Sequence, residues 1–227
     1  MLTLLIESST ERGLIALIEN SKILVCKDLP YGYQNSTFLM PVIEECFRDT
    51  GVTASQLSMV AVAVGPGSYT GIRVGAIVAK SIAYACRLPL VGICTLEGFV
   101  PIALGSFAAI IDAKIGGVYI LKGIRHKDSI VYTSQPAVCE LRDLEKQLQG
   151  IEVLVTPNKS RLEPLLLGFY PEGKWKWREM EPNVEQLIFL AMRKYETGEY
   201  SKEGNLDLMY LRKTQAEIER DRDGAAC

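Results

Sequence analysis

The chain has 227 residues and a formal net charge of -2, with 48% hydrophobic and 23% charged residues. This balance is typical of a soluble globular protein, and it argues against a surface built mainly to hold nucleic acid. The length is sufficient for one large domain or two small domains with cores of their own.

The start of the chain, its apolar segments and its cysteines predict a cytoplasmic protein. Residues 1–6 lack a basic leader and are followed at once by Glu7, so no signal peptide is expected. Charged residues interrupt the apolar region 72–94, which therefore cannot span a membrane. The six cysteines are scattered without a Cys-x-x-Cys pair, as expected of reduced thiols. His126 is the only histidine, which argues against a zinc site.

The first half of the chain is predicted to begin with three strands, at residues 2–6, 13–18 and 23–27. A helix over 36–50 follows, because its apolar residues fall at helical spacing, and Pro41 should either start or kink it. The remaining predicted elements alternate between strand and helix: a strand at 59–64, a helix at 70–86, a strand at 90–94 and a helix near 96–104.

The second half repeats this order of elements. Strands are predicted at 107–111, 118–124 and 130–134, followed by a helix at 141–148, a strand at 151–156, and helices at 160–167 and 182–195. The duplication predicts an α/β fold of two mixed sheets, as in the actin, heat-shock and sugar-kinase group with its ribonuclease H-like topology. We expect an N-terminal subdomain at 1–104, a reduced C-terminal subdomain at 105–212 and a charged tail at 213–227.

The run from Gly65 to Gly75 joins a buried strand to the helix at 70–86. Such a turn leaves free backbone N–H groups at the start of the helix. No Lys-Ser or Lys-Thr follows a glycine, which excludes a P-loop, and Thr70 stands where a dinucleotide fingerprint needs its third glycine. The loop therefore serves another purpose.

Small residues recur every four positions along this helix and form a stripe of Gly67, Gly71, Gly75, Ala79 and Ala83. A glycine inside a helix costs roughly 1 kcal/mol against alanine, so the stripe indicates close approach of another backbone. That backbone belongs either to the chain's own sheet or first helix, or to a partner molecule.

Two carboxylates, Glu7 and Asp112, stand at equivalent places, each at the end of the first strand of its half. In the duplicated kinase-like fold such residues flank a cleft and hold a metal–phosphate group. The alternative is that each carboxylate accepts hydrogen bonds from the N–H groups of its own turn.

Residues 174–178 alternate basic and aromatic side chains. On a strand, Lys174, Lys176 and Arg178 would share one side, and Trp175 and Trp177 the other. The segment could hold an RNA backbone, or the tryptophans could belong to the core with the cations solvated.

Five stretches of the chain resemble the bacterial tRNA threonylcarbamoyladenosine biosynthesis protein TsaB family, also called YeaZ. The glycine run is the most specific of them, and the likeness is strongest in the first half of the chain. The other stretches are Leu4-Leu5-Ile6-Glu7-Ser8-Ser9, Leu39-Met40-Pro41, Ile111-Asp112-Ala113-Lys114 with Val118-Tyr119, and Met209-Tyr210-Leu211-Arg212-Lys213.

The resemblance implies a cytoplasmic, non-catalytic subunit in tRNA modification with a duplicated actin-like fold. Proteins of this family bind the related catalytic subunit TsaD, the ATPase TsaE joins the assembly, and tRNA is engaged indirectly. Two helices, here 36–50 and 70–84, contact TsaD or form a homodimer without it. The implied partner-binding residues are Leu39, Val42, Ile43, Cys46, Gly67, Ser68, Tyr69, Thr70, Gly71, Arg73, Val74, Gly75, Val78 and Ala79.

The resemblance also implies no metal and no intrinsic cofactor, with any ATP bound only at an interface shared with the partner. The remnant of a nucleotide cleft would consist of Glu7, Ser9, Asp112 and Lys114. The chain departs from the family pattern at Asn35, where a histidine is common, at Glu7 in place of aspartate, and at Gly117 in place of glutamate.

Two enzymatic alternatives remain open at the level of sequence. The first is an ATP-dependent phosphotransferase or ATPase that uses Glu7 and Asp112 across the cleft. The second is a metallopeptidase, which is disfavoured because the chain has no cluster of histidines.

Overall fold

Two mixed β-sheets with helices packed against them make up the fold. The computed structural model describes residues 1–32, 35–114 and 116–212. The predicted charged tail, 213–227, lies outside the described residues.

The first sheet contains five strands in the order β3-β2-β1-β4-β5. β1 is antiparallel to β2 and parallel to β4, and β4 is parallel to β5. These strands confirm the predictions for this half, and they span Leu2–Glu7 (β1), Leu14–Glu19 (β2), Lys22–Asp28 (β3), Met59–Gly65 (β4) and Leu90–Cys94 (β5).

Two long helices cover one face of this sheet, as predicted. Helix α1 spans Asn35–Thr50 and α2 spans Tyr69–Cys86. Pro41 lies inside α1 and does not start it. Arg87 ends α2 in the left-handed conformation with φ 56, where its N–H still reaches the carbonyls of Ala83 and Tyr84.

The second sheet has six strands. Five of them follow the order β11-β10-β6-β7-β8, and β9 pairs with β7 as well. The strands β9 and β11 were not among the predicted elements, although the alternation at 174–178 anticipated a strand there. The strands span Gly105–Asp112 (β6), Gly117–Arg125 (β7), Ile130–Tyr132 (β8), Ala137–Glu140 (β9), Val153–Thr156 (β10) and Lys176–Glu179 (β11).

Three helices accompany the second half. The predicted helix at 141–148 is reduced to a 3-10 turn followed by the short α3, Leu144–Gln147. The side chain of Asn158 caps α4, Lys159–Phe169, by accepting from Arg161 N. Asn183 likewise caps α5, Val184–Glu196, by accepting from Gln186 N at 2.7 Å.

The predicted helix at 96–104 is wrong. A 3-10 turn spans Thr95–Gly98, and the chain then continues without a helix to β6. The apolar residues at helical spacing in this segment are core residues of an irregular chain and not one face of a helix. They are Leu96, Phe99 and Val100, which are buried beneath the second sheet. Pro101 supplies no backbone N–H to continue a helix from this turn.

Both sheets share one topology, in which a central strand has an antiparallel meander on one side and parallel strands on the other. β6 occupies in the second sheet the place that β1 occupies in the first, with β10 in the place of β4. The predicted duplicated fold of the actin, heat-shock and sugar-kinase class is therefore confirmed.

Strand alternation distributes the apolar side chains between the two faces of the first sheet. Leu4 and Ile6 of β1 face α1 and α2, whereas Leu5 faces α5. Helix α5 thus follows the second sheet in sequence but packs on the first. The subdomain boundaries given above stay a prediction.

Candidate functional site

The glycine loop between β4 and α2 lies directly on the turn that follows β1. Ser68 N donates to Ser9 O at 2.6 Å, and Ser8 Oγ donates to Gly71 O at 2.9 Å. Ser68 caps the helix by accepting from Gly71 N at 3.3 Å. These contacts hold the start of α2 against the end of the central strand.

The small-residue stripe is occupied by this same turn. A Cβ at Gly67 or Gly71 would lie well under 3.0 Å from the carbonyl oxygen of Ser9 or Ser8. A Cβ at Gly75 would meet Ser8 Oγ at a similarly forbidden distance. Of the two explanations for the stripe, the structure thus supports the intramolecular one and corrects the expectation that a partner's backbone fits there.

Glu7, at the end of β1, is fully buried and bonded to its own turn. Its Oε1 accepts from Ser9 N at 2.6 Å and from Ser9 Oγ at 2.5 Å. Ser9 Oγ also lies 2.7 Å from Thr95 Oγ1. Burial raises the pKa of Glu7 to about 7, although the hydrogen bonds from Ser9 and Thr10 act in the opposite direction.

Asp112 makes the equivalent contact at the end of β6. Its Oδ1 accepts from Lys114 N at 2.7 Å, and its Oδ2 forms ion pairs with Arg161 and with Lys114 Nζ. Both carboxylates therefore accept the N–H two residues further along the chain. This is the turn-stabilising role that the sequence left as the alternative to metal–phosphate binding.

The turn after β1 also contacts the second half of the molecule. Arg12 Nε donates to Pro157 O at 2.7 Å, and Arg12 pairs with Glu179 of β11. Glu11 accepts from Asn158 Nδ2 at 2.6 Å. Ser9 and Glu11 are both buried, so these contacts hold the turn after β1 against the second half.

The opposite side of α2 presents an exposed row of large side chains: Tyr69, Arg73, Ile77, Lys80 and Tyr84. Their spacing of four, four, three and four residues places them on one helix face. Ile77 is 63% exposed and Tyr84 83%. We call this row the outer face of α2. Two apolar residues of the neighbouring helix α1, Phe38 and Met40, are also exposed.

An aromatic and cationic cluster forms the N-terminal end of the outer face. The Arg73 guanidinium lies 3.8 Å from the centre of the Tyr69 ring, and Arg73 Nε donates to Tyr210 Oη at 2.9 Å. The rings of Tyr69 and Tyr210 are 5.2 Å apart. Tyr210 belongs to the C-terminal segment of the described chain, far from α2 in sequence.

Comparison with known proteins supports the resemblance noted in the sequence. Residues 34–165, more than half of the chain, match the model of the family described as TsaD, tRNA N6-adenosine threonylcarbamoyltransferase. The tRNA threonylcarbamoyladenosine biosynthesis protein TsaB of Haemophilus influenzae is 32% identical over 56% of this chain and 56% of its own length. TsaB of Escherichia coli is 27% identical over 95% of this chain and 96% of its own length.

The chain belongs to the family that the TsaD model describes, and within it to the TsaB/YeaZ proteins. It spans about half of the length of the Haemophilus influenzae relative. A solved structure from Pseudomonas aeruginosa, described as an uncharacterized protein with similarity to peptidase YEAZ, has a TM-score of 0.75 at 21% identity. It covers 93% of this chain and 99% of its own, and it shows the same fold.

Within this TsaB/YeaZ member, the predicted partner-binding residues divide into buried and accessible groups. Tyr69, Thr70 and Arg73 are exposed, and Val42, Gly67, Ser68, Val74 and Val78 are partly exposed. The others are buried in the chain's own core or against its own turn, and their assignment to a partner contact stays a prediction; they are Leu39, Ile43, Cys46, Gly71, Gly75 and Ala79.

The structure adds residues that the sequence did not assign to a docking surface. Ile77 and Tyr84 lie on the outer face of α2, and Phe38 is exposed on the neighbouring helix α1. The large side chains opposite the stripe were the signal for the first two. Tyr210 gave no such signal, because only the tertiary structure brings it to Arg73.

Strand alternation divides the side chains of residues 174–178 between the core and the solvent. Trp175 and Trp177 pack against the core beneath α3 and α4, whereas Lys174, Lys176 and Arg178 are exposed. Within the described ranges, no three of His, Cys, Asp and Glu lie together as metal ligands would. None of the helices in 1–32, 35–114 and 116–212 combines the length and the apolar character needed to cross a bilayer.

Proposed function

We propose that this chain is a non-catalytic subunit in the formation of tRNA threonylcarbamoyladenosine, and that it binds and activates a TsaD-like catalytic subunit. The docking surface is the outer face of α2, with exposed side chains of the neighbouring helix α1 at its edge. The same surface forms a homodimer when the partner is absent. A TsaE-like ATPase joins the assembly, and tRNA is reached through the complex.

The observation that carries this proposal is the contrast between the two sides of α2. One side is closed by the chain's own turn at Ser8 and Ser9. The other side leaves Ile77 and Tyr84 in solvent. An exposed row that combines aromatic, aliphatic and cationic side chains is typical of a protein-binding surface.

The names of the relatives support the biological setting. The matched family model describes a tRNA N6-adenosine threonylcarbamoyltransferase, and the curated TsaB relatives are named as threonylcarbamoyladenosine biosynthesis proteins. A fold shared by the proposed subunit and its catalytic relative is consistent with pairing between like surfaces of two related proteins.

The state of the cleft supports a subunit without nucleotide chemistry of its own. The carboxylate of Glu7 is sealed from solvent, and that of Asp112 is occupied by its own turn and by Arg161. A nucleotide would then contribute only at an interface shared with the catalytic subunit. The geometry does not favour the phosphotransferase alternative.

The variant Ile77→Asp tests the docking surface. The change removes the central apolar side chain of the contact and places a charge there, so we expect loss of co-purification with the TsaD-like subunit, with Kd raised about 100-fold or more. The isolated variant should also shift from dimer to monomer in size-exclusion chromatography coupled to light scattering.

Ile102→Asp is the matched control, because Ile102 is 94% exposed but lies in the segment that joins the two sheets. It should bind the partner as the unchanged protein does, and both variants should keep their melting temperatures. Unimpaired association of Ile77→Asp would overturn the proposal.

A further inference from the structure

The C-terminal segment 204–212 crosses the carboxyl edge of the first sheet beside the glycine loop. Met209 N donates to Val64 O at 2.8 Å, and Leu206 and Leu208 pack on the core between the first sheet and its two helices. A Cβ at Gly65 would lie 2.8 Å from Met209 O. The segment is therefore anchored closely enough to hold the residue that follows it.

Tyr210, the next residue, fixes the position of Arg73 on the outer face of α2. Its hydroxyl accepts from Arg73 Nε at 2.9 Å, and its ring centre lies 5.6 Å from the guanidinium. The guanidinium also lies 3.8 Å from the centre of the Tyr69 ring, which itself lies 5.2 Å from the Tyr210 ring. A solvent-exposed arginine normally samples many rotamers, and these two contacts restrict it to one region.

Within residues 1–32, 35–114 and 116–212, Arg73 is held in this way without an anionic partner. No ion pair among the described residues includes Arg73, and α2 contains no aspartate or glutamate. Tyr210 takes the Nε–H, and the Tyr69 hydroxyl also hydrogen-bonds to the guanidinium, so neither contact brings a negative charge to the two terminal nitrogens. A guanidinium offers these nitrogens as a planar fork that matches a carboxylate.

We propose that Tyr69 and Tyr210 position Arg73 to bind a carboxylate on the docking partner, so that the C-terminal segment forms part of the docking surface. This inference rests on the proposed function. A protein carboxylate fits better than an RNA phosphate, because the next residue of the outer face after Arg73 is Ile77, an apolar side chain that is 63% exposed. Such a side chain gains by burial against another protein.

The test is a set of binding measurements between the full chain and its TsaD-like subunit by isothermal titration calorimetry. Arg73→Ala should raise Kd about 30-fold, because it leaves the partner's carboxylate unpaired in the contact. Arg73→Lys should be nearly as weak, since an ammonium cannot supply the fork. Tyr210→Phe should raise Kd about fivefold, because it removes one hydrogen bond to a charged group.

The double variant Arg73→Ala with Tyr210→Phe identifies the role of Tyr210. If the tyrosine acts through the arginine, the double variant binds no more weakly than Arg73→Ala alone. Lys176→Ala, which removes an exposed cation from β11, should leave Kd unchanged. Melting temperatures of all variants should stay within a degree or two of the unchanged protein, because the cluster is at the surface.

Three other outcomes would contradict the inference or the proposed function. Additive losses in the double variant, or full affinity in Arg73→Ala while Ile77→Asp fails to bind, would overturn this inference and leave the proposed function standing. Full affinity in both Arg73→Ala and Ile77→Asp would overturn the docking surface itself. If Arg73→Ala binds the partner normally but the complex retains tRNA poorly, the occupant of Arg73 is a phosphate, and the carboxylate assignment is wrong.

Discussion

At the scale of single residues, the Glu7 carboxylate stabilises its own turn by accepting hydrogen bonds from Ser9. It is fully buried, and only one of its two carboxylate oxygens has a hydrogen-bond partner among the described residues. The uncompensated oxygen is costly to ionise in this environment. The protonated acid is consequently favoured in the folded state, which raises the pKa of Glu7 to about 7.

This shift predicts the direction in which stability changes with pH. The folded-state pKa of about 7 exceeds the ordinary value of 4.5, so the folded state holds the proton more tightly than the unfolded state. The contribution of Glu7 is fully present below about pH 4.5 and is lost as pH rises through 7. The shift corresponds to a decrease of about 3 kcal/mol in the free energy of unfolding.

Glu7→Gln tests this expectation by urea unfolding between pH 5 and 8. Glutamine keeps the acceptor for Ser9 and cannot ionise, so the free energy of unfolding should fall less steeply with pH than in the unchanged protein. Glu203→Gln, at an exposed carboxylate, serves as control and should keep the original slope. An unchanged slope in Glu7→Gln would show that Glu7 is already ionised in the folded state at pH 5.

At the scale of elements, α2 has two faces with different tasks. Its glycines allow the backbone of Ser8 and Ser9 to approach, and this contact fixes the helix on the sheet. Its outer face carries the large side chains. Substitution of the glycine face therefore damages the fold before it affects any partner, and a variant such as Gly75→Arg cannot report on docking.

Gly71→Ala should lower the free energy of unfolding by about 2–4 kcal/mol, because its Cβ would overlap Ser8 O and force backbone shifts. Gly168→Ala is a matched control in another helix, since a Cβ there meets nothing within 4 Å. That change should be neutral or stabilise by up to about 1 kcal/mol. Equal effects of the two substitutions in chemical denaturation would refute the close approach.

At the scale of the whole molecule, the duplicated sheets place equivalent carboxylates at equivalent turns. The turn after β1 is hydrogen-bonded to residues of the second half. Arg12 joins the first turn to Pro157 and Glu179 of the second half, and Asn158 joins it to Glu11. Polar groups of the first turn are thus occupied by contacts within the chain.

We therefore expect the isolated protein to show no micromolar binding of ATP with magnesium in isothermal titration calorimetry. The phosphates would have to displace hydrogen bonds at Glu7 and Asp112 that the fold already satisfies. Asp112→Ala is the matched variant and should give the same null titration. Micromolar binding that disappears in Asp112→Ala would instead favour an ATP-dependent enzyme.

The sequence by itself determined most of the strands, most of the helices and the duplication. Alternation and apolar runs depend on neighbours a few residues apart, so Met59–Gly65 and Leu90–Cys94 were predicted nearly to the residue. It also marked the glycine stripe as a place of close approach. It failed at 96–104, because helical spacing in a short buried turn looks like a helix until the packing is known.

Only the tertiary structure decided which backbone fills the stripe, whether the carboxylates face solvent, and which residues stand on the outer face of α2. Each of these depends on contacts between segments far apart in the chain: Ser8 with Gly71, and Tyr210 with Arg73. Spacing along a helix fixes which residues share a side. It does not say which side is buried, because burial depends on what the rest of the chain places against it.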